Sequence, residues 1–287
     1  MKSVSTPRRG EASPIIFKSV ICGIDASPQS GAVACQATQV AAADAQFWAV
    51  SVWDPGQAMH SGIHAAEVAT DLRQQSASAL RDAQQAFPSL EPILIKGSEV
   101  AGLLEVVADL EADLVAIGSH GSSRPAGMLF GSVATVMAHH APCSVLIARE
   151  AEAHSFPGVI VHAGDGSPES LDAAQVAGRI AARHDADIVT LHVGDDLARG
   201  SAVAEQSATL IEACGCKPVQ KIEPGSPHRR ITEVAGETGA SLLVMGSRGL
   251  TGLKALGSVS ERVVHGASCS VLIVRRPSHP STDADHE

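Results

Sequence analysis

Residues 113–149 read DLVAIGSHGSSRPAGMLFGSVATVMAHHAPCSVLIAR, and residues 241–275 read SLLVMGSRGLTGLKALGSVSERVVHGASCSVLIVR. Both run from an apolar stretch through Gly-x-x-Gly and a short loop to Gly-Ser, then an amphipathic stretch, then Cys-Ser-Val-Leu-Ile. Upstream, ICGIDASPQS (21–30) matches IVHAGDGSPES (160–170), each an apolar run ending in Asp before a polar turn. The chain is therefore a domain-sized unit written twice. The polar, aperiodic run REAEAHSFP (149–157) separates the copies, which gives units over 15–150 and 157–276. The first copy carries about a dozen extra residues near Met59–Phe87.

Within the first unit, short apolar runs fall at Val20–Ile24, Phe47–Val52, Ile93–Ile95, Leu114–Ile117 and Val145–Ala148. They alternate with amphipathic stretches, the pattern of a parallel sheet covered by helices. Val100, Leu103, Leu104, Val107 and Leu110 recur at helical spacing, as do Ile231, Val234, Ala235 and Thr238 in the second copy. Ser61–Phe87 predicts a long surface helix with Leu72, Leu80, Ala83 and Phe87 on one face, ended by Pro88. Right-handed crossovers then give an α/β fold of two tandem, doubly wound, five-stranded parallel-sheet units, with ligands expected beyond the carboxyl ends of the strands. The closing strands, Val145–Ala148 and Val271–Val274, are candidates to pair inside the chain as a pseudo-dimer.

Composition narrows the function. Of 287 residues, 45% are hydrophobic and 18% charged, as in a folded globular protein. Aromatic residues make up 2%, with no Tyr, so a base-stacking platform for single-stranded nucleic acid is not expected. The net charge of −10 argues against a broad polyanion-binding face, although Arg229, Arg230, Lys217 and Lys221 form a local basic group. No apolar run is long enough to span a membrane, and no secretory segment follows Met1–Pro14 despite the pair Arg8-Arg9. The six cysteines read as reduced thiols and the expected location is the cytoplasm.

The chemistry-bearing pattern is Gly118, two residues, Gly121, nine residues, then Gly131-Ser132 opening a helix. Glycines there leave backbone N–H groups bare, and a helix start adds unpaired N–H groups and the positive end of a dipole. Such a loop holds phosphates without a Lys. Asp25, at the end of the first strand, can accept from sugar hydroxyls or a base edge, and Val52, ending the second, can pack on a base. The counterparts are Asp165, Val193, Gly246, Gly249, Gly257 and Ser258, but only seven residues separate Gly249 from Gly257. That shorter loop ranks the second unit below the first. No Gly-x-x-x-x-Gly-Lys-Ser/Thr run exists, so efficient ATP hydrolysis is not expected. His139, His140 and His265 read as helix-end residues, and Cys214-Gly215-Cys216 lacks the spacing of a metal or redox pair.

These residues, with Gly225-Ser226-Pro227-His228-Arg229 and Ala141-Pro142-Cys143-Ser144-Val145-Leu146-Ile147, resemble the universal stress protein family in its tandem form, over Val20 to Arg275. The resemblance implies a fold related to adenine-nucleotide α-hydrolases, ATP binding with Mg²⁺ as a companion ion, pairing through the last strand, and a stress-response role. It implies ribose and adenine contacts from Asp25 and Val52, and phosphate contacts from Gly118, Gly121, Gly131 and Ser132. It departs at Asp25-Ala26-Ser27 and Gly97-Ser98-Glu99, where the second copy has Asp165-Gly166-Ser167 and Gly225-Ser226-Pro227. The expected function is nucleotide-dependent regulation through a protein partner, without a catalytic residue or resident metal, as a single chain or a homodimer. The alternatives are a slow ATPase using Asp25 or His120, and a nucleotide-free scaffold.

Overall fold

The computed structural model describes residues 17–121, 131–149, 156–247 and 256–276. The first unit contains β1 (Ser19–Gly23), α1 (Gln29–Val40), β2 (Gln46–Trp53), a 3₁₀ segment (Pro55–His64), α2 (Ala65–Ala86), β3 (Leu90–Lys96), α3 (Glu99–Asp109), β4 (Leu114–Gly118), α4 (Ser132–His140) and β5 (Ser144–Ala148). The second contains β6 (Val159–Ala163), α5 (Pro168–His184), β7 (Asp187–Val193), α6 (Leu197–Glu212), β8 (Val219–Glu223), α7 (Pro227–Glu237), β9 (Leu242–Gly246), α8 (Ser258–Gly266) and β10 (Ser270–Val274).

The ten strands form one sheet in the order β3-β2-β1-β4-β5-β10-β9-β6-β7-β8. Every neighbouring pair is parallel except β5 with β10, which run antiparallel with Ile147 opposite Val271, Leu146 opposite Leu272 and Val145 opposite Ile273. The two closing strands do pair inside the chain.

Burial on both faces explains why the central strands are apolar at nearly every position. In β1, Ile21 faces the core under α3 and α4, while Val20 and Cys22 face the core under α1 and α2. Each core runs across both units, so β5 and β10 lie inside it rather than at a boundary. With few aromatics to fill space, the helices come close on small residues: Ala34 and Ala37 of α1, and Ala173, Ala174, Ala177 and Ala181 of α5, are buried. Local signals set the helix ends. Ser167 accepts from the Ser170 N–H at 3.2 Å with Pro168 next in the chain, and Asp196 accepts from the Arg199 N–H at 3.1 Å.

One expected element changes. The helix predicted from Ser61 begins at Ala65, because Gly62, with a φ of 58°, kinks the 3₁₀ segment that runs to His64. Of the predicted face, Leu80 is buried and Ala83 and Phe87 pack on the core, whereas Leu72 is only half-buried.

In the second unit, His162 stands at the position of Cys22 and is fully buried. Its Nε2–H donates to the Ser170 carbonyl at 2.9 Å, and its Nδ1 accepts from the Thr190 hydroxyl at 3.1 Å, an arrangement that requires the neutral ring. Burial pushes its pKa down to about 4, against weaker upward effects from the Ser170 carbonyl and Asp165. The unfolded chain binds a proton near pH 6.5, so stability present above that pH is lost as the pH falls through 4. His162→Gln is expected to flatten the dependence of unfolding free energy on pH by about 3 kcal/mol between pH 6.5 and 4. Denaturant titrations across that range check this, and superimposable pH profiles for the two proteins would contradict it.

Candidate functional site

The chain leaves β1 toward α1 on one face of the sheet and β4 toward α4 on the other, so the carboxyl ends of these neighbouring strands open a crevice. The crevice is a cleft of about 560 Å³, a volume suited to a nucleotide-sized ligand. Asp25, Val52, Gly118, Gly121, Gly131 and Ser132 all line it. The first-unit residues singled out in the sequence are therefore brought together.

Asp25 is held in place by its own turn. Its Oδ1 accepts from the Ser27 N–H at 3.0 Å and from the Ser30 hydroxyl at 3.0 Å, while Ser30 Oγ also accepts from the Asp25 N–H at 2.9 Å. Gly121 lies so close that a Cβ there would stand 2.8 Å from Asp25 Oδ2. At Gly118 a Cβ would meet Gln29 Oε1 at 2.8 Å and the His120 carbonyl at 3.1 Å, and at Gly131 it would meet His120 Cα at 3.2 Å. Close backbone approach, rather than turn conformation, is what requires glycine at these positions.

The Gly131 N–H donates to the Ser119 carbonyl at 2.7 Å, and Gly131 takes extended dihedrals before α4 begins at Ser132. Among the described residues, no side chain caps this helix. The N–H groups of Ser132, Val133 and Ala134 therefore lack intrahelical acceptors, and all three residues line the cleft. The cleft is also lined by apolar side chains, Val50 and Val52 of β2 with Leu103 and Ile117.

Two cleft residues escaped the sequence reading. Gln29, 4% exposed, lies with its Nε2 3.0 Å from His120 Nε2 and fills the space beside Gly118. Its signal was present in Ser27-Pro28-Gln29-Ser30, directly after Asp25. Glu99, seen earlier only as a departure from the family pattern, lines the same cleft as Asp25. Partial desolvation raises the Glu99 pKa, with Asp25 and Asp54 adding repulsion against a hydrogen bond from Gln57 at 3.5 Å.

The second unit repeats the frame with a tighter fit. The Gly257 N–H donates to the Ser247 carbonyl at 2.7 Å, Ser258 opens α8, Asp165 Oδ1 accepts from the Ser167 N–H at 2.9 Å, and Val193 packs on the core. Gly249 lies outside the described residues. At Gly246, however, a Cβ would meet the α5 backbone itself, 2.8 Å from the Glu169 carbonyl carbon and 2.9 Å from the Ser170 nitrogen. Ser260, where the first unit has Ala134, donates to the Gly246 carbonyl at 3.1 Å. Leu256, which precedes Gly257, is 1% exposed in the core that holds Met245. These contacts join α5, α8 and β9 at the place where the first unit has the Gln29 side chain beside Gly118.

The discounted residues have structural partners. Arg230 is held by Glu223, Glu233 and Glu237, so its part of the basic group is balanced. His139 reaches Glu261 of α8 at 3.5 Å. Burial raises the Cys216 pKa and pushes Cys22 and Cys143 up to about 12, which disfavours the reactive thiolate. Among the described residues, no group of three or more His, Cys, Asp or Glu side chains is placed to hold a metal, and no helix is long and apolar enough to cross a membrane.

The chain is similar to a universal stress protein of Mycobacterium tuberculosis, with 29% identity covering 90% of this chain and 97% of that protein. Its fold matches a universal stress protein from Archaeoglobus fulgidus at a TM-score of 0.72, with 21% identity and coverage of 90% and 98%. A universal stress protein solved in complex with cAMP is 31% identical over 41% of this chain and 96% of that one, at a TM-score of 0.38. The universal stress protein family itself matches twice, over residues 16–149 and 158–275. The chain belongs to the universal stress protein family, in a tandem form with two copies of the unit.

Proposed function

We propose that the first unit, residues 15–150, binds ATP in the cleft between β1 and β4, and that the protein acts in the stress response as a nucleotide-dependent regulator rather than by rapid turnover. The observation that carries this is the meeting of three surfaces in one opening. Uncapped N–H groups at the head of α4, with Gly118 and Gly121, suit a phosphate chain. Asp25, fixed by Ser27 and Ser30, suits ribose hydroxyls, and Val50 and Val52 suit an apolar base face. The same site leaves little for catalysis: the second carboxylate, Glu99, opens α3 on the β2 side, whereas the glycines and Ser132 belong to the β4–α4 side. Mg²⁺ would accompany the phosphates and supply charge neutralisation there. In the second unit, residues 157–276, the closer packing at Gly246 favours one occupied site per chain.

The combined Gly118→Ala and Gly131→Ala variant is expected to weaken ATP binding at least about tenfold, because methyl groups would block backbone approach to the phosphates. Calorimetric titration of the folded variant tests this, and an unchanged affinity would sink the site assignment. Glu99→Gln is expected to bind ATP about twofold to fivefold more tightly at pH 7, since it removes a negative charge from the cleft that would hold the anion. The raised pKa of Glu99 means that wild type neutralises the same charge as the pH falls, so the two affinities should converge toward acid pH. A gap that does not narrow as the pH falls would show that charge is not the cause.

A further inference from the structure

Arg149 and Arg275 each follow a closing strand and each reach into the other unit. Arg149, after β5, donates from Nη2 to the Val264 carbonyl of α8 at 2.7 Å and from Nη1 to the Cys269 carbonyl at 3.1 Å. Arg275, after β10, donates from Nη1 to the carbonyls of Ala141 at 2.8 Å and Cys143 at 3.3 Å, and from Nη2 to the Ala138 carbonyl of α4. The acceptors correspond between copies, Ala138 to Val264 and Cys143 to Cys269. The antiparallel β5–β10 pair thus exchanges two guanidinium caps across a pseudo-two-fold axis.

The caps are not equivalent in consequence. The last carbonyls of a helix lack intrahelical donors, and the residue four beyond Ala138 is Pro142, which has no N–H to offer. In α8 the residue four beyond Val264 is Ser268, whose N–H makes no bond to the Val264 carbonyl among the described residues, so the caps differ in what each helix carries at its other end. Helix α4 is nine residues long, about 13 Å at 1.5 Å per residue, and a helix this short depends on tertiary contacts for its position. Its other end carries the uncapped N–H groups of Ser132, Val133 and Ala134 into the cleft.

We infer that Arg275, supplied by the second unit, is a positioning residue for the phosphate-binding end of the first unit's cleft, acting through α4. This rests on the nucleotide-binding reading of that cleft. The second unit then completes the first unit's site from behind, whether or not it holds a nucleotide itself. Guanidinium geometry matters because two nitrogens serve three carbonyls at once, and the cation also complements the carbonyl end of the helix.

The test uses the full chain with Arg275→Gln, Arg275→Lys and, as the matched control, Arg149→Gln, each shown by denaturant titration to be folded at the working temperature. Calorimetry with ATP and with adenosine separates phosphate contacts from base contacts, and hydrogen exchange reads the bonded amides of α4, from Thr135 onward. Arg275→Gln is expected to weaken ATP about tenfold, to leave adenosine within about twofold, and to speed exchange at the hydrogen-bonded amides of α4, Thr135–His140. Arg275→Lys should recover part of the loss, and Arg149→Gln should leave both ligands and that exchange unchanged. Equal losses for ATP and adenosine, equal losses in the Arg149 and Arg275 variants, or unchanged α4 exchange would each overturn the inference. Should the wild-type chain bind no ATP, the nucleotide reading fails, and α4 exchange alone still decides whether Arg275 positions the helix.

Discussion

Three residue pairs between two short strands hold this architecture together. Where Leu146 faces Leu272, two parallel half-sheets that would each end in an exposed apolar edge become one sheet with two continuous cores. That pairing aligns the remaining interactions between copies. The Gln36 amide donates to the Arg149 carbonyl at 2.7 Å, Ser270 donates to Gln36 Oε1 at 2.7 Å, and His184 of α5 meets the Gln39 carbonyl of α1 at 2.8 Å. It also sets the two arginines beneath each other's helices. The edges left over are β3 and β8, and β3 carries Pro92, a residue that only an edge strand accommodates readily.

The pairing matters for function because it leaves the strand ends free. The crevice between β1 and β4 owes nothing to the junction except the placing of α4, and its lining comes from five short segments of one unit. Duplication produced two such crevices and packing then distinguished them. A hydroxyl at Ser260 in place of the methyl of Ala134, and the α5 backbone against Gly246 where the first unit has the Gln29 side chain, bring the second set of elements closer.

Much of this was written plainly in the chain. The repeat and the alternation of apolar runs with amphipathic stretches carried the strand count and the parallel, doubly wound class of each unit, because parallel strands buried on both faces leave a strong local signal. The positions of Asp25, Val52, Gly118, Gly121, Gly131 and Ser132 followed from strand ends and glycine spacing, and they do meet in one cleft. What stayed illegible depends on distances between segments far apart in sequence. Glu99 enters the cleft only because Gly102 lets α3 lie close over Val52, where a Cβ would stand 3.2 Å from Val52 Cγ2. The exchange of Arg149 and Arg275 depends on the register of β5 against β10, which neither strand encodes alone. The start of α2 was misplaced because Gly62 looks like any other residue until its φ of 58° is known.

The most direct measurement is a crystal structure of the full chain grown with saturating ATP and Mg²⁺. The account predicts a triphosphate against the N–H groups of Gly118, Gly121, Gly131 and Ser132, the ribose at Asp25 and the base along Val50 and Val52. Nucleotide bound in the second unit with the first empty, or density for it at neither, would contradict the account.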